Sequence, residues 1–363
     1  MQLSTTPELT KFAEDVLNGL SSAPKFLSSK YFYDDEGSRL FQEIMKLPEY
    51  YLTGCEQEIF ETQSDEIYMA FSGRDEGESA GRNASVNERV SIDNAFDNNE
   101  RVPIDNETRS LTVAFPPAFD LVELGAGDGT KTAVLIDHFL KQRADISYSP
   151  IDISQEALDA LAQKFGAEFP ALKIDPHTGD YFKILASLDN NNTRRKVLLF
   201  LGSNIGNFSS EQSVEFFRSL RGVMDDNDLL FIGFDLQKDP HVIANAYDDA
   251  AGVTAKFNLN LLNRINSELG GDFDLDKFTH YANYRPIEGS ARSYLMSRER
   301  QTVHIAALGR DFEFDQWEAV FMEISQKYSL TMIDDLARDS GFEIKHNFFD
   351  SKKYYCDSLW TCR

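Results

Sequence analysis

The chain is short of cysteine, of positive charge and of long apolar runs. Its three cysteines, Cys55, Cys356 and Cys362, have neither the spacing of a disulfide framework nor that of a metal site. Such sparse cysteines are typical of the reducing cytoplasm. No apolar segment approaches the roughly 18 residues of a membrane-spanning helix, and the N-terminal residues lack the pattern of a signal peptide. We therefore expect a cytoplasmic protein that holds no metal.

The balance of charges excludes two classes of partner. The 363 residues include 60 acidic and 36 basic side chains, which gives a formal net charge of −24. Such a surface repels the phosphates of nucleic acids and the anionic lipids of membranes. Hydrophobic residues make up 42% of the chain, enough for a packed core in one large domain or two. We expect a monomer whose partner is a small-molecule substrate.

Residues 122–132, Val-Glu-Leu-Gly-Ala-Gly-Asp-Gly-Thr-Lys-Thr, form the most informative segment. An apolar run leads into Gly125, Gly127 and Gly129, which indicates a strand, a tight turn and the start of a helix. Glycine lets the backbone approach a ligand closely, and a helix N-terminus offers free N–H groups. A purely structural turn without a ligand is the alternative.

Two acidic residues narrow the class of ligand that this turn is expected to bind. Asp152 ends the next apolar run, about 20 residues beyond the turn, where doubly wound folds hold ribose hydroxyls. Glu123 precedes the glycines, which follow the spacing G-x-G-x-G rather than G-x-G-x-x-G. These features favour S-adenosylmethionine over a dinucleotide.

Apolar segments and helical patterns alternate along the middle of the chain. The predicted strands are 119–124, 146–153, a short one at 174, 197–201 and 229–234, and the predicted helices are 132–142, 155–165 and 210–223. This alternation predicts a parallel sheet with helices on both faces. A C-terminal helix at 329–340 and strands at 342–349 and 354–360 resemble the antiparallel end of a methyltransferase sheet.

We therefore predict an α/β fold, a Rossmann-like sheet of the S-adenosylmethionine-dependent methyltransferase type with a second, substrate-binding domain. The first domain comprises residues 52–234 and 327–363. The second comprises residues 1–51 and an inserted block at 235–326, which emerges where open α/β sheets bind ligands. In that block we expect helices and two strand-like segments, 293–297 and 301–307.

Residues 73–110 differ sharply in composition from the rest of the chain. They are rich in polar residues and repeat themselves, with Glu-Arg-Val-Ser-Ile-Asp-Asn at 88–94 and Glu-Arg-Val-Pro-Ile-Asp-Asn at 100–106. Such a segment buries too little apolar surface to offset its ordering entropy. We expect a mobile surface insertion, with a hairpin of the two repeats as the alternative.

Three further motifs stand where this architecture places a ligand. They are Leu-Gly-Ser-Asn-Ile-Gly-Asn-Phe at 201–208, Ala-Tyr-Asp-Asp-Ala-Ala-Gly-Val-Thr at 246–254 and Phe-Met-Glu-Ile-Ser-Gln-Lys at 321–327. In the last of these, Glu323 and Ser325 are two residues apart, which places both on one side of an extended segment. With these motifs, the chain resembles the histidine-specific Nα-methyltransferases, which make hercynine on the way to ergothioneine. The match also includes Tyr-Phe-Tyr-Asp-Asp-Glu-Gly-Ser-Arg-Leu-Phe at 31–41 and Leu-Pro-Glu-Tyr-Tyr-Leu-Thr at 47–53. It extends the second motif through Ala-Lys-Phe-Asn to residue 258, and it covers nearly the whole chain apart from 73–110.

The resemblance implies a set of ligand-binding residues. Those expected to contact S-adenosylmethionine, the methyl donor, are Gly125, Lys131, Asp152, Asp180 and Tyr181. Those expected to bind L-histidine are Tyr50, Asn207 and Tyr247 at its carboxylate, and Glu323 and Ser325 at its imidazole. Tyr33 is the expected catalytic residue, beside the amine that is methylated. The implied reaction is methylation of the histidine α-amine, three times in all.

Other functions stay open at this point. One is an Nα-methyltransferase of another aromatic amino acid such as tryptophan, and Glu323 and Ser325 argue against it because an indole offers one N–H and no acceptor. Another is a nicotinamide-dependent oxidoreductase, which the spacing of the glycines disfavours. A third is a scaffold that binds S-adenosylmethionine without catalysis.

Overall fold

A computed structural model describes residues 7–73, 118–188 and 194–363. The predicted insertion at 73–110 lies outside the described residues except for Gly73, and so does the alternative hairpin of its repeats. Within the described ranges, no helix combines the length and the apolar character that a bilayer crossing requires.

The described part of the chain forms eleven α-helices and thirteen strands. The helices are α1 (Pro7–Ser21), α2 (Asp35–Ile44), α3 (Tyr51–Thr62), α4 (Ser64–Ser72), α5 (Thr130–Lys141), α6 (Gln155–Glu168), α7 (Tyr181–Ser187), α8 (Ser210–Arg221), α9 (Pro240–Tyr247), α10 (Val253–Leu269) and α11 (Leu330–Ser340). The strands are β1 (Ala118–Leu124), β2 (Asp145–Asp152), β3 (Lys173–Ile174), β4 (His177–Thr178), β5 (Arg195–Phe200), β6 (Leu229–Asp235), β7 (Phe278–Arg285), β8 (Ser290–Ser297), β9 (Gln301–Ile305), β10 (Arg310–Phe314), β11 (Ala319–Gln326), β12 (Phe342–Phe349) and β13 (Tyr355–Cys362).

Eight of these strands form one twisted sheet. Their order is β12-β13-β6-β5-β1-β2-β3, with β4 also paired to β2. The pairs from β6 to β4 are parallel, whereas β13 runs antiparallel to β6 and β12 antiparallel to β13. The predicted α/β fold, with a parallel sheet and an antiparallel end, is confirmed.

Helices cover both faces of this sheet. Along β5, Val197 and Leu199 point into one hydrophobic core, and Leu198 and Phe200 point into the opposite core. Alternate residues of a strand face opposite sides, so burial on both sides requires a continuous apolar run. The first core includes residues of α3 to α6, and the second includes residues of α8 and α11.

A third hydrophobic core lies around a smaller antiparallel sheet. The strand order of that sheet is β11-β8-β7, and β9 and β10 form a separate ribbon. The two strand-like segments predicted at 293–297 and 301–307 are strands, but they do not pair with each other because β7 and β11 occupy both edges of β8. Tyr50 packs against the first core and the third, so it marks where they meet. The predicted division into two domains stays a prediction.

Glu56 of α3 is a fully buried carboxylate that joins four elements. Its Oε1 accepts hydrogen bonds of 2.8 Å from the Tyr355 hydroxyl and from the Gly202 N–H. Its Oε2 pairs with the Lys131 ammonium. Because an unpaired buried carboxylate is costly, these partners fix α3 to β13, to α5 and to the segment after β5.

The buried Glu56 explains a glycine in the middle of β6 and gives a first prediction. A Cβ at Gly233 would overlap the Tyr355 hydroxyl and lie 2.5 Å from Glu56 Oε1. We expect Gly233→Ala to lower the free energy of unfolding by about 1–3 kcal/mol in denaturant titrations, as overpacking does.

Gly166 provides the matched control, because a Cβ there meets nothing within 4 Å and the residue lies inside α6. Gly166→Ala should leave stability unchanged or raise it by up to about 1 kcal/mol through helix propensity. Equal stability of the two alanine variants would contradict the packing described for Gly233.

Candidate active site

Six polar side chains that the sequence assigns to a substrate line one pocket. They are Tyr33, Tyr50, Asn207, Tyr247, Glu323 and Ser325. The pocket is lined by the segment that follows β5 together with residues of α2, α9, α10 and β11. The structure therefore brings these residues to the carboxyl edge of the large sheet, where open α/β sheets bind ligands. Their individual roles stay predictions.

The position of Tyr33 depends on the start of α2. The next residue, Asp34, caps this helix by accepting a 2.7 Å hydrogen bond from the Gly37 N–H. The same carboxylate oxygen accepts another 2.7 Å bond from the Asn260 amide of α10. A capped helix start held to a second helix gives the Tyr33 backbone a fixed place at the pocket.

Asn207 ends a short 3₁₀ turn after β5 that packs directly on β11. A Cβ at Gly206 in this turn would lie 3.0 Å from the Gln326 carbonyl oxygen and 3.4 Å from Ser325 Oγ. Glycine at this position therefore allows the turn to approach the strand. As a result, Asn207 stands close to the Ser325 side of the pocket.

Glu323 and Ser325 both reach the pocket from β11, as their spacing predicts. The pairing of β11 with β8 shifts register between Phe321 and Glu323. Beyond the shift, Glu323 pairs with Ser293 and Ser325 pairs with Ala291. An irregularity of this kind can turn side chains toward a site.

The side chains of Tyr247, Ser325 and Lys327 form a closed triangle of hydrogen bonds. The Tyr247 hydroxyl donates to Ser325 Oγ at 2.7 Å. Lys327 Nζ donates to the Tyr247 hydroxyl oxygen at 2.6 Å and to Ser325 Oγ at 2.7 Å. Lys327 is fully buried and was not expected at the site, because a lysine in a sequence normally indicates a solvated surface.

The charge of Lys327 is balanced by Asp235, the last residue of β6. Asp235 Oδ2 lies 2.7 Å from Lys327 Nζ, and Oδ1 pairs with Lys238. The Tyr51 hydroxyl donates to the same carboxylate at 2.9 Å. Ser203 Oγ accepts a 3.0 Å bond from the Asp235 N–H, which ties the end of β6 to the segment after β5. Both Asp235 and Lys327 are 0% exposed.

Glu323 is the acidic group of the pocket and has a perturbed pKa. Burial raises the pKa of its carboxyl from 4.5 to about 7, although the nearby Lys327 charge opposes this shift. Near neutral pH the carboxyl is therefore close to its titration midpoint. In its ionised form it is an acceptor in a pocket that otherwise presents hydroxyl and amide donors.

The three pocket tyrosines are neutral. Burial raises the pKa of Tyr33, Tyr50 and Tyr247 well above 10, and the charge of Glu323 raises each further. Tyr33 lines the pocket although the residue is 44% exposed to solvent. All three remain hydrogen-bond donors rather than bases.

Aromatic rings and one amide complete the wall. Phe41 and Phe257 line the pocket and contact the Tyr33 ring at centroid distances of 5.5 and 5.6 Å. Asn258 also lines the pocket, and its buried Oδ1 has no hydrogen-bond partner among the described residues. The sequence assigned no role to any of these three, although Phe257 and Asn258 end the matched run at 247–258.

The glycine-rich turn has the backbone that close ligand approach requires. Gly125, Gly127 and Gly129 have φ angles of +74°, +54° and +64°. The Asp152 carboxylate accepts hydrogen bonds from the Gly127 N–H at 3.3 Å and from the Ser154 N–H at 3.1 Å. Each carboxylate oxygen keeps a lone pair, so Asp152 is able to accept from a pair of ribose hydroxyls.

The other predicted cofactor residues surround this turn. A Cβ at Gly125 would lie 3.1 Å from the Tyr181 hydroxyl, which places that hydroxyl beside the turn. Asp180 caps α7 by accepting from the Lys183 N–H at 3.1 Å. Lys131 lies near Gly202, where a Cβ would be 3.3 Å from its Nζ, and Gly202 lines the substrate pocket. These positions fit a ligand that extends from the turn to the pocket.

Glu123 has a structural role in this fold. It is buried in β1 and accepts hydrogen bonds from Thr132 of α5, at 2.8 Å, and from the Tyr148 hydroxyl of β2. The acidic residue before the glycines thus ties β1 to the start of α5 and to β2.

A family model described as "histidine-specific methyltransferase, SAM-dependent" matches residues 12–86 and 96–362. The chain belongs to this family. The large sheet is therefore a methyltransferase sheet, and the nicotinamide-dependent alternative is set aside.

The chain is also similar to proteins that are named for histidine methylation or for ergothioneine biosynthesis. The chain is 35% identical to histidine N-alpha-methyltransferase of Mycolicibacterium smegmatis, over 93% of this chain and 90% of that protein. It is 34% identical to histidine N-alpha-methyltransferase of Mycobacterium tuberculosis, over 86% of this chain and 83% of that protein. It is 28% identical to ergothioneine biosynthesis protein 1 of Schizosaccharomyces pombe, a longer protein of which 34% is covered.

The raised pKa of Glu323 predicts a specific dependence of stability on pH. A carboxyl with a pKa of about 7 in the folded chain and 4.5 in the unfolded chain makes folding less favourable as the pH rises through this interval. We therefore expect the free energy of unfolding of Glu323→Gln to rise by about 1–3 kcal/mol relative to that of the wild type as the pH is raised from 5 to 8. Denaturant titrations at a series of pH values measure this difference.

The matched control is Glu343→Gln, because Glu343 is an exposed glutamate of β12. Its stability should follow the wild-type curve over the whole pH range. A constant difference between Glu323→Gln and the wild type at all pH values would contradict the perturbed titration of Glu323.

Proposed function

We propose that this protein transfers a methyl group from S-adenosylmethionine to the α-amino nitrogen of L-histidine, and that three such transfers give the betaine hercynine. The observation that carries the proposal is the pair Glu323 and Ser325, which faces one pocket together with three neutral tyrosines and Asn207. This set has donors for a carboxylate and a donor–acceptor pair for an imidazole.

The imidazole end is the more selective part of the proposal. A neutral imidazole has one N–H and one nitrogen with a lone pair. In our proposal the N–H donates to the Glu323 carboxylate, and the other nitrogen accepts from the Ser325 hydroxyl. An indole has no nitrogen acceptor, so tryptophan would leave the Ser325 donor unpaired. This observation favours histidine over the tryptophan alternative.

The carboxylate end is built from neutral donors. We assign the substrate carboxylate to Asn207 and Tyr50, with Tyr247 between this end and the imidazole end. The raised pKa of Tyr50 supports the assignment, because a phenol that stays protonated can donate to a carboxylate. Tyr247, which the resemblance places at the carboxylate, already donates its proton to Ser325. Neutral donors also avoid placing an arginine beside the sulfonium of the methyl donor.

The reaction needs a neutral amine with its lone pair directed at the transferred methyl carbon. Bound S-adenosylmethionine supplies an electrophilic methyl group on a sulfonium. We propose that Gly125, Lys131, Asp152, Asp180 and Tyr181 hold it. Fixing both ends of histidine orients the amine, and such orientation lowers a barrier by roughly 7–11 kcal/mol.

Tyr33 is the residue that we place beside the reacting amine. Its phenol stays protonated, so it is not the base that removes the ammonium proton. Its oxygen is able to accept an N–H of the neutral amine, which leaves the nitrogen lone pair free for the methyl carbon. The proposal requires neither a metal nor a second subunit, and we propose a cytoplasmic monomer.

Two alanine variants separate the two ends of the pocket. Glu323→Ala should raise KM for histidine and reduce the preference for histidine over phenylalanine and leucine, because an unpaired buried polar group costs about 1–3 kcal/mol. Asn207→Ala should weaken the binding of all three amino acids to a similar extent, because Asn207 is assigned to the carboxylate that they share. Steady-state kinetics with each amino acid give both results.

Affinity for S-adenosylhomocysteine, measured by calorimetry, is the control and should stay unchanged in both variants. Full selectivity for histidine in Glu323→Ala would show that other residues recognise the imidazole.

A further inference from the structure

The buried Lys327 raises a question that the proposed function does not answer. Its ammonium has three N–H donors, and the structure gives each a partner: Asp235 at 2.7 Å, Tyr247 at 2.6 Å and Ser325 at 2.7 Å. No N–H is left for a ligand, and the side chain does not line the pocket. Any effect of Lys327 on a substrate must therefore pass through its neighbours.

The neighbour most affected is Ser325. A hydroxyl oxygen has two lone pairs and one proton. Ser325 Oγ accepts one bond from Lys327 and one from the Tyr247 hydroxyl, so both lone pairs are occupied. Its own proton is the only hydrogen-bonding capacity that it has left. Because Ser325 lines the pocket, that proton is available to a ligand there.

We propose that Lys327 is a positioning residue that makes Ser325 an obligate hydrogen-bond donor, so that the pocket selects a side-chain ring with an unprotonated nitrogen. This inference rests on the proposed function. A serine with free lone pairs accepts from an N–H as readily as it donates to a nitrogen. The Lys327 ammonium removes the first possibility, and it also polarises the hydroxyl, which strengthens the donated bond.

Lys327 is held in place by Asp235, which does not line the pocket. Asp235 also pairs with Lys238, whose ammonium contacts the Tyr51 hydroxyl at 2.9 Å rather than a pocket hydroxyl. Lys238 and Lys327 thus pair with the same carboxylate, but only Lys327 contacts Ser325. Replacing Lys238 is therefore a control for the loss of one buried cation.

The test uses histidine and its two pyrrolylalanine analogues. Each analogue keeps one ring N–H and replaces the other ring nitrogen with C–H, and the two differ in which nitrogen is kept. Whichever orientation histidine adopts, one analogue satisfies Glu323 while opposing the Ser325 donor with a C–H. Calorimetry in the presence of S-adenosylhomocysteine gives the dissociation constants, and the readout is the ratio between the better analogue and histidine.

We expect the wild type to prefer histidine by about tenfold or more, the effect of one unpaired buried donor. In Lys327→Met the ratio should fall to within about threefold, as it should in Ser325→Ala, which removes the donor itself. Lys238→Met should keep the wild-type ratio. If Lys327 had a role in folding alone, its replacement would weaken the binding of histidine and of the analogue equally, and the ratio of their dissociation constants would stay unchanged.

Retention of the wild-type ratio in Lys327→Met overturns this inference and leaves the proposed function standing. Failure of the wild type to bind histidine or either analogue overturns the proposed function itself. If Lys327→Met does not fold, as judged by S-adenosylhomocysteine affinity, Lys327→Leu is measured in its place, because it also removes the ammonium and leaves Asp235 paired with Lys238.

Discussion

The pairing of Asp235 with Lys238 and Lys327 is the constraint on which the candidate site depends. All three groups are buried where the large sheet ends, and removing one partner of a buried ion pair typically costs about 3–5 kcal/mol. Asp235 belongs to β6, and Lys327 directly follows β11. The pairing therefore fixes β11, which carries Glu323 and Ser325, to the sheet that carries the glycine-rich turn.

The same cluster sets the electrostatics of the pocket. Two ammonium groups face one carboxylate, so the cluster carries excess positive charge. That charge, through Lys327, opposes the rise in the pKa of Glu323 and helps to hold an ionised acceptor in a buried position. On its other side Lys327 orients Ser325 and Tyr247. One buried cation thus supports both the acceptor and the donor that we assign to the imidazole.

Sequence patterns predicted the large sheet well and the smaller sheet poorly, for physical reasons. Strand β5 is buried on both faces and has a continuous apolar run, whereas β7, Phe-Thr-His-Tyr-Ala-Asn-Tyr-Arg, is largely polar and was missed. The spacing of Glu323 and Ser325 predicted their common pocket because strand periodicity is a local property. Lys327 was missed because its burial depends on Asp235, which is distant in sequence, and a lone lysine gives no local signal of such a partner.

The central claim is that the pocket presents the α-amine of histidine, and not its ring, to the methyl donor. The most direct test is to incubate L-histidine and S-adenosylmethionine with the protein and to locate the added methyl groups by tandem mass spectrometry and NMR. The account predicts methyl groups on the α-nitrogen alone, accumulating to the trimethylated betaine, with both imidazole nitrogens unmodified. Methylation of a ring nitrogen would contradict the account, because the imidazole would then face the donor in place of Glu323 and Ser325.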